Sequence, residues 1–253
     1  MAGTGGTSGT GRPGGVRFPR NQVVAAAAIV AAADAGGRTR LPVLRSQAPL
    51  VLRRTPEAVY VVGGAAGPIG GDALDLRIEV RDGAFLRVRT AAAAVALPGP
   101  DGLESVLTVT AFVGASARLE YLPEPTVVCA GARHATIIQV TLAEGASLLL
   151  RDELILGRHG EPGGASRTSL RADYAGRPLL RQALEVSGTD QASLGPAVLA
   201  GHRTAGTLLR VDPAGVHTGT QRGPWVAVMP LAGPGVLVTA LAHDAVTLRK
   251  RLG

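Results

Sequence analysis

The stretch Leu119–Arg158, LEYLPEPTVVCAGARHATIIQVTLAEGASLLLRDELILGR, decides how this chain folds. Two apolar runs of strand length, Thr136–Leu142 and Ser147–Leu150, are parted by a tight Ala143-Glu144-Gly145 turn, as in a β-hairpin. Pro123-Glu124-Pro125 frames the entry, and the acidic pair Asp152-Glu153 stands just before a sharp stop at Gly157-Arg158. In extended backbone, neighbouring side chains point to opposite faces. One of the two carboxylates therefore faces inward, among Leu149, Leu154 and Leu156. There it has to pair with an arginine such as Arg151 or Arg158, or reach water or a metal ion.

Strand signals continue on both sides of this stretch. Leu74–Val80 reads L-D-L-R-I-E-V, the strict alternation of a half-buried strand, and Asp82-Gly83 predicts a hairpin turn into Phe85–Val88. Leu50–Arg53, Ala58–Val62, Thr168–Tyr174, Pro178–Val186, Leu208–Val211, Trp225–Met229 and Gly235–Leu241 read as further strands. The alanine-rich Val23–Asp34 suits a helix on propensity. Yet it lacks a cap and runs into an Ala35-Gly36-Gly37 turn before Thr39–Leu44, a layout that favours a strand. A helix is predicted over His243–Leu252, with Asp244 at its start and Arg249, Lys250 and Arg251 at its end. The pairs Gly83-Ala84, Gly114-Ala115, Gly131-Ala132 and Gly145-Ala146 each precede a strand, at spacings of 31, 17 and 14. They fit either stacked strand–turn units or a sandwich of hairpins. The expected fold is mainly all-β: a solenoid-like stack of many short strands and turns with one or two short helices. Residues 1–20 are expected to form a disordered glycine-rich tail, followed by one domain over 21–253.

Composition narrows the function. Hydrophobic residues are 46% of the chain but aromatics only 3%, so the core is built from Val, Leu, Ile and Ala. The net charge of +7 comes from 26 basic residues, Lys250 the sole lysine, scattered rather than clustered. Single-stranded nucleic acid would want stacking aromatics beside such charge, so a nucleic-acid role is disfavoured and a protein partner with acidic patches explains the charge at least as well. A single cysteine, Cys129, allows no internal disulfide and fits a reducing compartment. The start of the chain lacks a secretory apolar core, and the apolar run Val23–Ala33 is too short to span a bilayer. A cytoplasmic protein with no membrane partner is expected.

No motif for chemistry emerges. Gly63–Asp72, GGAAGPIGGD, lacks the Gly-Lys-Ser/Thr ending of a phosphate loop and runs into a strand instead of a helix. No two of the five histidines share a metal-ligand spacing, and no serine sits in a nucleophile elbow. Cys129, beside Val127 and Val128, reads as buried. No catalytic residues and no tightly bound cofactor are assigned, and the protein is not expected to be an enzyme.

In order, the chain carries Gly36-Gly37-x-Thr39, Pro49-Leu50 with Arg53-Arg54, and Gly67-Pro68-Ile69-Gly70-Gly71-Asp72. Leu122-Pro123-x-Pro125-Thr126, Gly131-Ala132 and Leu156-Gly157-Arg158 with Glu161 follow. This series resembles the urease accessory protein UreD (UreH) family, most closely from Val23 to Val186. The resemblance implies a solenoid-like β fold and a non-enzymatic role in urease maturation, through binding of apo-urease subunits and UreF, which recruits the GTPase UreG. It also implies nickel in transit through an internal channel. Asp72, Asp152, Glu153 and Cys129 are the residues expected to meet that nickel. Gly70, Gly71, Pro123, Pro125, Gly157 and Arg158 are the structural positions. Two departures stand out: Ala66 replaces a family glycine, and Cys129-Ala130 stand where many relatives carry an acid, which makes Cys129 a substitute soft ligand. Glu153→Ala is expected to lower nickel loading of urease without unfolding the protein. The alternative, a β-solenoid polysaccharide-binding module or hydrolase, lacks the stacking aromatics or second carboxylate such sites use.

Overall fold

The structure, a computed structural model, describes residues 22–215 and 220–253. The tail expected over residues 1–20 lies outside them. The strands in chain order are β1 Val24–Ala33, β2 Thr39–Arg45, β3 Leu50–Arg54, β4 Val59–Gly63, β5 Ala73–Val80, β6 Phe85–Thr90, β7 Ala94–Ala96, β8 Ser105–Val113 and β9 Arg118–Leu122. They continue as β10 Thr126–Val128, β11 Arg133–Leu142, β12 Ser147–Leu156, β13 Ala165–Tyr174, β14 Arg177–Ser187, β15 Thr204–Val211, β16 Gln221–Gly223, β17 Val226–Pro230 and β18 Gly235–Ala242. Two helices complete the set, α1 Gln191–Leu194 and α2 Ala245–Leu252.

These strands build two stacked sheets. The first runs β14-β13-β11-β8-β5-β1-β2 and the second β16-β17-β18-β15-β12-β9-β6-β4-β3, with β7 and β10 as a short strip beside β12. Neighbours are parallel along β13-β11-β8-β5-β1 of the first sheet and β12-β9-β6-β4 of the second, and the chain alternates between these two runs, as in a solenoid. Parallel registration aligns like residues across rungs. Ala27, Leu76, Val109, Ile138 and Leu170 form one inward ladder, and Leu86, Leu119 and Leu148 face it from the second sheet. With so few aromatics, the core is filled by these aliphatic ladders, each residue packed on its copies in the rungs above and below.

Several local readings change. Asp82-Gly83 makes no hairpin: β5 belongs to the first sheet and β6 to the second, so the turn is a corner between sheets. The same holds for Ala143-Glu144-Gly145 between β11 and β12. Corners stack on one another: the Asp82 carboxylate accepts the Ala115 N–H at 2.8 Å, and Gly145 packs against Ser116. The equivalent positions are Gly83, Ser116 and Gly145, all with positive φ, and each is followed by a buried alanine, Ala84, Ala117 or Ala146. Gly114-Ala115 is thus not the counterpart of the other pairs, which is why the spacing looked irregular. By contrast β1 is a strand, paired antiparallel with β2, and β13–β14 is a true hairpin.

Helix α2 forms where its ends predicted. The Asp244 carboxylate accepts the Thr247 N–H at 2.8 Å, and Arg249, Lys250 and Arg251 occupy the last turn. It buries Leu248 and Leu252 on the outer face of the second sheet, against Gly206 of β15, where any side chain would strike Leu252 at 2.8 Å. That contact lays the helix over β15 and β18, from where Arg249 reaches Glu153 of β12.

Candidate functional site

Strand β12 splits its acidic pair as the pleat demands. Glu153 lies on the outer face, with Arg151, under α2; Asp152 lies on the inner face with Leu150, Leu154 and Leu156. Leu149, expected beside the inward carboxylate, is on the other side.

On the outer face Glu153 is the hub of an ion network. Its side chain has 0% exposure and meets Arg249 Nη2 at 2.6 Å and Arg151 Nε at 3.2 Å. Arg249 also holds Glu124 at 3.0 Å, and Arg151 Nη2 donates to the Pro123 carbonyl at 3.0 Å. The Pro123–Pro125 strap earns its place here: Glu124 N–H donates to Thr90 Oγ1 and Ala94 N–H to the Pro125 carbonyl, fixing Glu124 against the helix. Burial lowers the affinity of the Arg151 guanidinium for its proton, while the hydrogen bond to Glu153 raises that of Arg249. The arginine pairing expected of the inward carboxylate is made instead by the outward Glu153, with Arg151 and with Arg249 in place of Arg158.

On the inner face Asp152 lines a cavity of about 420 Å³ between the sheets. Thr168, Gln182 and Leu184 bound it from the first sheet, and Ala205, Thr207, Thr239 and Leu241 from the second. The cavity exists because the second sheet continues through β18, β17 and β16 while the first stops at β14, leaving an overhang. Asp152 is the only charged side chain in the lining and makes no hydrogen bond or ion pair among the described residues. Burial first, and the Glu153 charge second, push its carboxyl up to about 6. A second cavity, of about 490 Å³, lies toward β4 and β7, with His134 in a mostly apolar wall. His134 is 1% exposed, paired with Ser105 Oγ at 2.9 Å and Thr136 Oγ1 at 3.3 Å, and burial pushes its imidazole down to about 4.

These two groups act oppositely on stability. Asp152 takes up its proton in the fold before the unfolded chain does, so its contribution improves as pH falls from above 6 toward 4. His134 stays neutral in the fold while the unfolded chain protonates from its ordinary 6.5 downward, so its contribution is lost over nearly the same window. Asp152→Asn is expected to raise stability at pH 7 by about 2 kcal/mol and to steepen the loss below pH 6. Urea midpoints from pH 7.5 to 4.5 measure both; a variant weaker than wild type at pH 7 contradicts the account.

The other predicted residues are placed apart. Asp72 is 3% exposed and uses one oxygen on the Val23 N–H at 3.1 Å and the other on the Ile69 N–H at 2.8 Å, closing the glycine loop. Cys129 is buried at the foot of β10, close to the Arg158–Glu161 pair, and burial pushes its thiol up. Arg158 grips Glu161 at 2.9 and 3.1 Å. Gly157, at φ +76°, passes so close to the Glu161 and Pro162 carbonyls that a Cβ would sit 2.8 Å from each. Arg203 ties this loop through the Leu156, Arg158 and Glu161 carbonyls at 2.7 to 2.9 Å, a role no local motif announced. Among the described residues no three His, Cys, Asp or Glu side chains come together as a metal cluster. Nor is any described helix long and apolar enough to cross a membrane.

Two mixed sheets, each with a run of stacked parallel rungs, and a cavity between them define a β-solenoid protein, with Asp152 an inward carboxylate that has no partner among the described residues. The chain belongs to the UreD urease accessory protein family, whose model matches residues 24–253. It is 46% identical to the urease accessory protein UreD of Parafrankia sp. (strain EAN1pec) over 92% of this chain and 88% of that one. It is 48% identical to urease accessory protein UreD 3 of Streptomyces griseus over 91% and 94%, and 43% identical to UreD of Streptomyces coelicolor over 94% and 95%. Family membership supports a role in urease maturation.

Proposed function

We propose that this chain is a non-catalytic cytoplasmic scaffold that binds apo-urease with UreF and UreG, and that nickel in transit passes through the inter-sheet cavity at Asp152. The observation that supports the route is that, among the described residues, Asp152 is the one charged side chain in a wall of threonine, glutamine and apolar side chains, and it has no ion-pair partner. Transit favours weak oxygen ligands, because a histidine or thiolate cage would retain nickel. Of the four residues first singled out, Asp152 alone offers uncommitted oxygens to a cavity. Glu153 is neutralised by arginines, Asp72 is spent on backbone donors, and Cys129 lies outside the cavity lining.

Co-expression of Asp152→Asn with the urease subunits and the remaining accessory proteins tests the route. The expected result is a severalfold lower nickel content of purified urease, compared per amount of co-purified partner. Unchanged nickel content removes Asp152 from the path. Failure of the wild-type chain to co-purify with urease subunits overturns the scaffold itself.

A further inference from the structure

Trp225 stands at the rim of the Asp152 cavity, on the overhanging part of the second sheet. Its ring is 44% exposed, and it is braced from behind: the His202 ring lies 4.4 Å away and stacks in turn on His243 at 4.3 Å. His202 is itself fixed by donating from Nδ1 to the Leu199 carbonyl at 3.0 Å. The Trp225 backbone adopts φ +69°, a conformation that costs a bulky residue free energy and persists where the surroundings hold it for a purpose. Gln182 gives its amide N–H to Thr207 at 3.4 Å, which leaves its carbonyl oxygen as an acceptor in the same lining as Asp152. Among the described residues no cationic side chain lines the cavity.

An aromatic residue at the rim, an unpaired carboxylate in the wall and neutral acceptors in the same lining match one side chain better than any other. A guanidinium is planar, stacks on indole, and spreads several donors that a carboxylate and an amide oxygen can take together. We propose that this cavity is a receptor for an arginine side chain of a protein partner, inserted past Trp225 to reach Asp152. The inference stands apart from nickel transit, although both occupants use the same carboxylate.

Trp225 is the only tryptophan in the chain, so its fluorescence reports this rim directly. Titration of the purified protein at about pH 8 with N-acetyl-arginine amide is expected to give a saturable change in emission. The neutral isostere N-acetyl-citrulline amide should act about tenfold more weakly, and Asp152→Asn should weaken the arginine response to a similar degree. Circular dichroism checks that the variant is folded. Equal responses to arginine and citrulline amides, an arginine response that survives Asp152→Asn, or no saturable arginine response overturns the proposal. A nickel chloride titration separates the two ideas: a Trp225 response to nickel without one to arginine overturns the receptor and leaves the nickel route standing.

Discussion

Replacing Glu153 by alanine is expected to cost the fold about 4 kcal/mol, the range for removing one partner from a buried ion pair. The carboxylate is fully covered and sits between Arg151, whose side chain is only 15% exposed, and Arg249 of α2. Its loss leaves the Arg151 charge buried against Arg249, with only Glu124 at 3.8 Å to offset it. It also removes the tie from Arg249 to β12, which leaves α2 held by Leu248 and Leu252, the Arg249–Glu124 pair and the Arg251 hydrogen bond to the Leu241 carbonyl. Urea unfolding of the variant measures the loss, and a change below about 1 kcal/mol would show that the network merely offsets its own desolvation. Arg249→Ala should cost less, because Arg151 still neutralises Glu153. The sequence alone suggested that Glu153→Ala would spare the fold and lower nickel loading. With Glu153 bound in this network, a maturation defect in that variant reports destabilisation, and Asp152 is the cleaner probe of transit.

Gly70→Ala is expected to be of comparable severity, about 3 kcal/mol or more, with loss of soluble protein in the extreme. The reason is a crossing of two backbones. A Cβ at Gly70 would lie 2.4 Å from the Leu103 carbonyl oxygen and 2.6 Å from the Gly99 nitrogen, and a Cβ at Gly99 only 2.1 Å from the Gly70 carbonyl oxygen. Neither neighbour is a side-chain tip that could swing aside. The crossing also orders the loop in which Asp72 binds the Val23 and Ile69 N–H groups, so one methyl disturbs the entry to β1 as well as to β5. Gly37→Ala is the control: that glycine too has positive φ, but nothing lies within 4 Å of its Cβ position, so the cost should be limited to backbone strain of about 1 kcal/mol. Thermal melting of the two variants side by side decides; equal losses would mean the close approach at Gly70 is relieved by a small shift.

The strands were legible because alternation and turn residues are local signals. Their partners were not. Asp82-Gly83 has the composition of a hairpin turn, yet a left-handed residue serves a corner between sheets equally well. Strand β12 shows a second limit. Its outer face is half-buried and apolar as well, so Leu148-Leu149-Leu150 reads as a continuous run and gives no hint of which side is inside. The opposition of Asp152 and Glu153 followed from the pleat, but assigning the faces needed the helix. Arg249, the decisive partner, is 96 residues from Glu153, and nothing near either position announces the other. Trp225 and Arg203 were hidden for the same reason.

The parallel ladders carry a kinetic consequence. Each central strand pairs with a neighbour about thirty residues away along the chain, as in Ile78–Ala111–Val140–Ala172, and hardly any central pairing is local. Closing each rung therefore spends loop entropy before its hydrogen bonds form, which makes for slow folding. Until β14 and β18 arrive, the growing stack presents open strand edges. Those edges are templates for pairing with another chain, so the newly made protein is most exposed to aggregation during synthesis, before its last rungs dock.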